Sequence, residues 1–167
     1  IKINPNTKLG LELLLKKTAE AKTFFSGSRL PRDIERFLVS LSSSYRPRQQ
    51  LKAGIELRHE HALNKSSGHE VEAVAFFLIP SLQIAFRGKG HLRAELEAGT
   101  IHSDPEEAVL VYEMLHGDQP GRALRGKLLF PYRVSNNVQA TLSYRTRREP
   151  WREKLYQTAQ VEVRAFF

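Results

Sequence analysis

Leu51-Lys-Ala-Gly-Ile-Glu-Leu-Arg-His-Glu-His-Ala-Leu63 is the stretch whose reading decides the fold. Its odd positions are Leu51, Ala53, Ile55, Leu57, His59, His61 and Leu63, and its even positions are Lys52, Gly54, Glu56, Arg58, Glu60 and Ala62. Successive side chains of a β-strand point to opposite faces, so period-2 alternation makes one face mostly apolar and the other mostly charged. A helix would need a period of 3.6, which this stretch lacks.

The same pattern recurs outward from there. Leu92 to Thr100 sets Leu92, Ala94, Leu96 and Ala98 against Arg93, Glu95 and Glu97. Val138 to Thr146 sets Val138, Ala140, Leu142 and Tyr144 against Gln139, Thr141, Ser143 and Arg145. The last stretch sets Leu155, Ala159, Val161, Val163, Ala165 and Phe167 against Tyr156, Thr158, Gln160, Glu162 and Arg164. Ile34–Tyr45 and Ala123–Val134 alternate less cleanly, as do Leu9, Leu11, Leu13 and Leu15 near the start. Val71 to Phe86 changes parity beside Pro80, which predicts a β-bulge there. Eight strands are expected in all.

The connections alternate too. Arg46–Gln49, Gly88–Gly90 and Ser135–Asn137 are short and carry Pro, Gly or Asn, as tight turns require. Phe24–Asp33, Asn64–His69, Ile101–Arg122 and Arg147–Lys154 are longer and polar. In an up-and-down sheet this puts short turns at one end and long loops at the other. Ser103-Asp-Pro-Glu-Glu107 is a helix-start pattern, so a short helix running to Leu115 or an irregular loop is expected inside the longest connection.

Composition excludes several classes. A chain of 167 residues is one domain's worth, and at 41% hydrophobic and 26% charged it is no disordered tail. No run approaches the roughly 18 apolar residues of a membrane helix. With no cysteine, disulfides and thiolate chemistry are absent. The net charge of +8 permits nucleic acid or an anionic lipid surface as partner without choosing between them. The chain begins at Ile1 and reads as a mature or trimmed segment.

A sheet with one apolar and one charged face fits two settings. In a water-soluble sandwich the apolar face packs inward; in an outer-membrane barrel it meets lipid and the charges fill the interior. Strands of 10 to 14 residues, aromatics such as Tyr45, Tyr132, Tyr144 and Phe167 near strand ends, and mixed charge signs on the polar face favour the barrel.

The final residues, Tyr156-Gln-Thr-Ala-Gln-Val-Glu-Val-Arg-Ala-Phe-Phe167, end on phenylalanine, with Val161, Val163 and Ala165 before it on the same parity. This resembles the terminal β-signal of bacterial outer-membrane proteins. The stretch from Tyr132 to the terminus is similar to the closing hairpins of large Gram-negative surface barrels, with Gly117-Asp-Gln-Pro-Gly121 as a preceding loop. One departure is that no glycine lies between Lys154 and Phe167. The resemblance implies an assembly signal at Val161, Val163, Ala165 and Phe167, and the barrel-assembly machinery as a partner.

No constellation for catalysis stands out. His59 and His61 share a face but lack a nearby third ligand, a weak metal pattern. His102-Ser103-Asp104 has the residue types of a hydrolase triad, yet consecutive residues cannot converge as a triad does. Gly88-Lys89-Gly90 reads as a turn, not a phosphate loop. Arg145, Arg147, Arg148 and Arg152 with Trp151 have the residue types for nucleic-acid phosphate contact and stacking, or on an outer surface for lipopolysaccharide phosphates. They straddle one loop in place of a continuous stripe, and a solvated loop with an interfacial Trp is the favoured reading.

The expectation is therefore an all-β, antiparallel up-and-down barrel of about eight strands over residues 1–167, complete or the C-terminal part of a larger barrel. It would sit in a bacterial outer membrane as an anchoring or assembly-subunit protein, without cofactor or metal. Glu56, Arg58, Glu60, Arg93, Glu95, Glu97, Arg145, Glu162 and Arg164 would form the interior charge network. Leu51, Ile55, Leu57, Leu92, Leu96, Leu142, Val161 and Val163 would face lipid. Outer-membrane lipid or lipopolysaccharide and other envelope subunits are the expected partners. The alternatives are a soluble β-sandwich or soluble barrel for adhesion or ligand binding, periplasmic or extracellular, and an outer-membrane lipid-modifying enzyme.

Overall fold

A computed structural model describes residues 8–22 and 32–166, apart from 66–69, 87, 105–110, 112–113, 116–118 and 149–153, with the backbone alone over 8–22 and at 32. Eight strands follow in chain order: β1 (Lys8–Lys22), β2 (Arg32–Arg48), β3 (Leu51–Asn64), β4 (Val71–Phe86), β5 (Gly90–Asp104), β6 (Gly121–Arg133), β7 (Val138–Arg148) and β8 (Leu155–Ala165). All belong to one antiparallel sheet in sequence order. A sandwich needs two packed sheets, and the described strands make one. β1 and β8 each pair on one side only, so the sheet is open.

Short turns close one end of the sheet. In the β4–β5 turn Gly88 has φ 67°, a conformation that costs a Cβ-bearing residue energy, and the Lys89 amide donates to the Phe86 carbonyl at 3.0 Å. In the β6–β7 turn the Val134 amide donates to the Val138 carbonyl at 2.9 Å.

The bulge expected at Pro80 is not there. The β3–β4 register runs unshifted from Leu51↔Ile84 through Ile55↔Pro80 to Asn64↔Val71. On the β5 side, Leu78↔Ala98 and Ser81↔Glu95 also share one register. Pro80 has no amide hydrogen, so its effect is confined to a gap in the ladder. The change of apolar parity has another cause: from Ala73 to Ile79 both faces of β4 are apolar. The register irregularity falls between Tyr45 and Arg48, around Pro47.

That second apolar face has a covering. Val71, Ala73, Ala75, Phe77 and Ile79 are buried together with Ile34, Ala62, Ile101 and Ala123. Over them sits one turn from the β5–β6 connection, in which the Leu115 amide donates to the Val111 carbonyl at 2.9 Å. Val111, Met114 and Leu115 are buried there. Ala62, Ala73 and Ala75 are small, which leaves room for it, and Arg36 Nε donates to the Met114 carbonyl at 2.7 Å. Burial of each large side chain stabilises by about 1.5–3 kcal/mol. The helix-start pattern is thus only partly realised, since Ser103 and Asp104 extend β5 and Pro105, Glu106 and Glu107 lie outside the described residues.

Candidate functional site

The register divides the side chains of β2 to β8 into two sets. Residues directly opposite one another share a face. From Glu56↔Ile79, Arg58↔Phe77, Phe77↔Gly99 and Gly99↔Ala123, the charged positions of β3 share the face that carries the buried cluster. Tracing the ladder places Glu56, Arg58, Glu60, Arg93, Glu95, Glu97, Arg145, Glu162 and Arg164 on that face. Leu51, Ile55, Leu57, Leu92, Leu96, Leu142, Val161 and Val163 lie on the other.

The covered face carries an ion network that crosses strands. Glu56 Oε1 accepts from Ser40 Oγ at 2.9 Å and pairs with Arg58 at 3.0 Å. Arg58 also reaches Glu97 at 3.9 Å, and Arg125 donates to Glu97 at 2.7 Å. β3 and β5 are separated by β4, about 9.6 Å from one to the other at ordinary strand spacing. Arg58 therefore spans β4 to meet Glu97. The Glu97 side chain is 17% exposed, and Arg58 and Arg125 are near 30%.

Other named charges stay outside this chain of contacts. Arg93 pairs with Glu95 at 3.6 Å, and Arg164 with Glu162 at 2.7 Å. Glu60 lies opposite Leu38 and Ala75. On β6 and β7, Lys127 sits directly opposite Arg145 and Arg125 opposite Arg147, an arrangement that is unfavourable between like charges. Sequence alternation does not identify Ser40 and Arg125 as members of this network, or Arg36 as the partner of the Met114 carbonyl. Their parity is readable, but Glu56 and Glu97 meet Ser40 and Arg125 through a strand register that alternation does not fix, and Met114 lies in a connection.

The opposite face is apolar and exposed. Leu57 is 52% exposed, Phe76 53%, Ile55 47% and Val161 68%. Along β4 the residues on this face beyond Glu72 are Val74, Phe76, Leu78, Pro80, Leu82, Ile84 and Phe86. At the short-turn end, Phe86 and Phe130 rings lie 5.6 Å apart, with Tyr132 stacked 5.7 Å beyond Phe130. Tyr45 and Tyr132 lie near strand ends, whereas Tyr144 is mid-strand in β7.

The register also gives the tilt. Direct partners lead from Ala159 through Tyr144, Leu128, Ala94, Leu82, Ala53 and Tyr45 to Leu9. Ala159 is beside the middle of β8, but Leu9 is near the start of β1, a drift close to one residue per strand. At about 3.3 Å per residue and 4.8 Å between strands, that drift tilts the strands about 35° from the axis of a barrel built on it. The ten residue steps from Val74 to Ile84 then give an apolar band about 27 Å tall, close to the ~25 Å band of outer-membrane barrels.

Of the remaining sequence candidates, His59 packs against Phe76 at 4.4 Å between rings, and His61 Nε2 lies 2.8 Å from Glu72 Oε1. His102 and Ser103 are consecutive on β5 and face opposite ways. Among the described residues no three His, Asp or Glu groups converge as a metal site. Lys65 Nζ is 2.8 Å from Glu35; that hydrogen bond first, then the carboxylate charge, hold its ammonium above the usual lysine range. Trp151, Arg152 and Phe167 lie outside the described residues. Comparison with known proteins finds no matching family model, curated protein or solved structure.

Proposed function

We propose that the chain is the wall of a bacterial outer-membrane β-barrel, closed by its own two edges or by further strands, in which the exposed apolar face meets lipid and the charged face lines the interior. The observation that carries this reading is the inverted exposure within β3. Ile55 and Leu57 are about half exposed, while the intervening Glu56 and Arg58 are drawn into hydrogen-bonded pairs on the covered face. Soluble monomers rarely expose a contiguous apolar patch of this kind.

The height of the apolar band and the rings at its short-turn border support the same reading. The role is structural: an anchored wall whose interior side is cross-braced by Ser40, Glu56, Arg58, Glu97 and Arg125. The chain should need detergent to remain folded and monomeric, and should then migrate faster on a gel unheated than boiled. A β-rich monomer in plain buffer would overturn the membrane reading in favour of a soluble β domain.

A further inference from the structure

The exposed apolar face is not smooth. A groove of about 820 Å³ crosses it from Leu41 on β2 to Arg148 on β7. Its floor is low because β5 presents Ala98 and Thr100 between larger neighbours: Leu78–Ala98–Leu124 form one cross-strand row and Phe76–Thr100–Arg122 the next. Five strand spacings of about 4.8 Å make it about 24 Å across, wide enough for several acyl chains side by side.

Two guanidinium groups border this groove on β6 and β7. Arg122 and Arg148 are both exposed, and neither has an ion-pair or hydrogen-bond partner among the described residues. Glu35 and Glu72, acids on the same face, are paired with Lys65 and His61, and Asp104 lies four positions beyond Thr100, outside the groove lining. Both arginines are at strand ends that lead into long connections, β6 beginning at Gly121 and β7 ending at Arg148. Planar guanidinium forks suit phosphate oxygens, and apolar groove walls suit hydrocarbon.

We infer that this groove is a binding site for a phosphorylated, multiply acylated glycolipid of the lipopolysaccharide type. Its acyl chains lie on Leu57, Phe76, Leu78 and Leu124, and a phosphate sits between Arg122 and Arg148. The inference rests on the outer-membrane reading and adds to it a headgroup site and a leaflet: the one at the long-connection end.

The test uses the full chain folded in detergent, with its heat-modifiable mobility checked first. Native mass spectrometry then measures retention of hexa-acylated bis-phosphorylated lipid A, of the same lipid without phosphates, and of phosphatidylglycerol. The bis-phosphorylated form should bind at least tenfold more tightly than either control, and R122A/R148A should lose that preference. Ala98→Phe, which raises the groove floor with both arginines kept, should also weaken binding. A folded barrel that retains all three lipids equally, or a double variant that binds as the parent does, overturns the site alone. A chain that shows no detergent-dependent fold removes the membrane reading as well.

Discussion

At the level of single residues, the two faces should respond oppositely to charge. Leu57 lies opposite Leu78, near mid-height of the apolar band. Leu57→Arg should cost about 2–4 kcal/mol, whereas Leu51→Arg, at the short-turn border, should cost about 0–1 kcal/mol. Urea unfolding midpoints in lipid vesicles check the ratio; equal costs would contradict a depth-graded apolar setting. On the covered face, Arg145→Glu replaces an opposed Lys127–Arg145 pair with an attractive one, its β8 neighbour Thr158 being uncharged, and should stabilise by about 0.2–1 kcal/mol. A loss of stability would show that the arginine has a favourable role there. The Lys65–Glu35 pair follows a simple sign: a raised lysine pKa adds stability below about pH 10.5 that fades as pH rises through the folded value. At an exposed site that contribution is small. The parity of these side chains was legible in the sequence, because alternation in Leu51–Leu63 fixes which residues share a face. The contact of Arg58 with Glu97 was not, because it joins two strands separated by β4 and depends on a register that alternation does not fix.

At the level of elements, the β5–β6 connection departs most from the sequence reading. Ser103-Asp-Pro-Glu-Glu107 resembles a helix start, yet Ser103 and Asp104 pair in β5 opposite Ala73 and Glu72. Ladder hydrogen bonds there outweigh a local capping preference. The helical turn that does form, at Val111–Leu115, is held by burial on Ala62, Ala73 and Ala75 and by the Arg36–Met114 hydrogen bond. Arg36→Ala leaves the Met114 carbonyl without that donor, a loss of about 1–3 kcal/mol locally. Limited proteolysis should then cut between residues 105 and 118 several-fold faster, with the strands intact. Unchanged cleavage would mean that apolar packing alone holds the turn. Pro80 teaches a related lesson: its apparent parity shift came from two apolar faces with different coverings, one under a loop and one exposed. Periodicity cannot separate that from a bulge.

For the whole molecule, the antiparallel up-and-down sheet and its rhythm of short and long connections were readable from residue pattern, since each depends on local spacing. The open edges at β1 and β8, the drift of the register and the groove behind Ala98 and Thr100 were not readable, because they arise only when strands are placed side by side. The most direct measurement exploits two adjacent positions on β7. Leu142 faces the apolar side opposite Phe130 and Val161, and Ser143 faces the charged side opposite Leu129 and Gln160. Trp151 is the single native tryptophan. In a Trp151→Phe background, Leu142→Trp and Ser143→Trp would each be folded into vesicles containing brominated acyl chains. Strong quenching at position 142 with little at 143 is the expected result. Equal quenching, or quenching at 143 alone, would contradict the assignment of the apolar face to lipid.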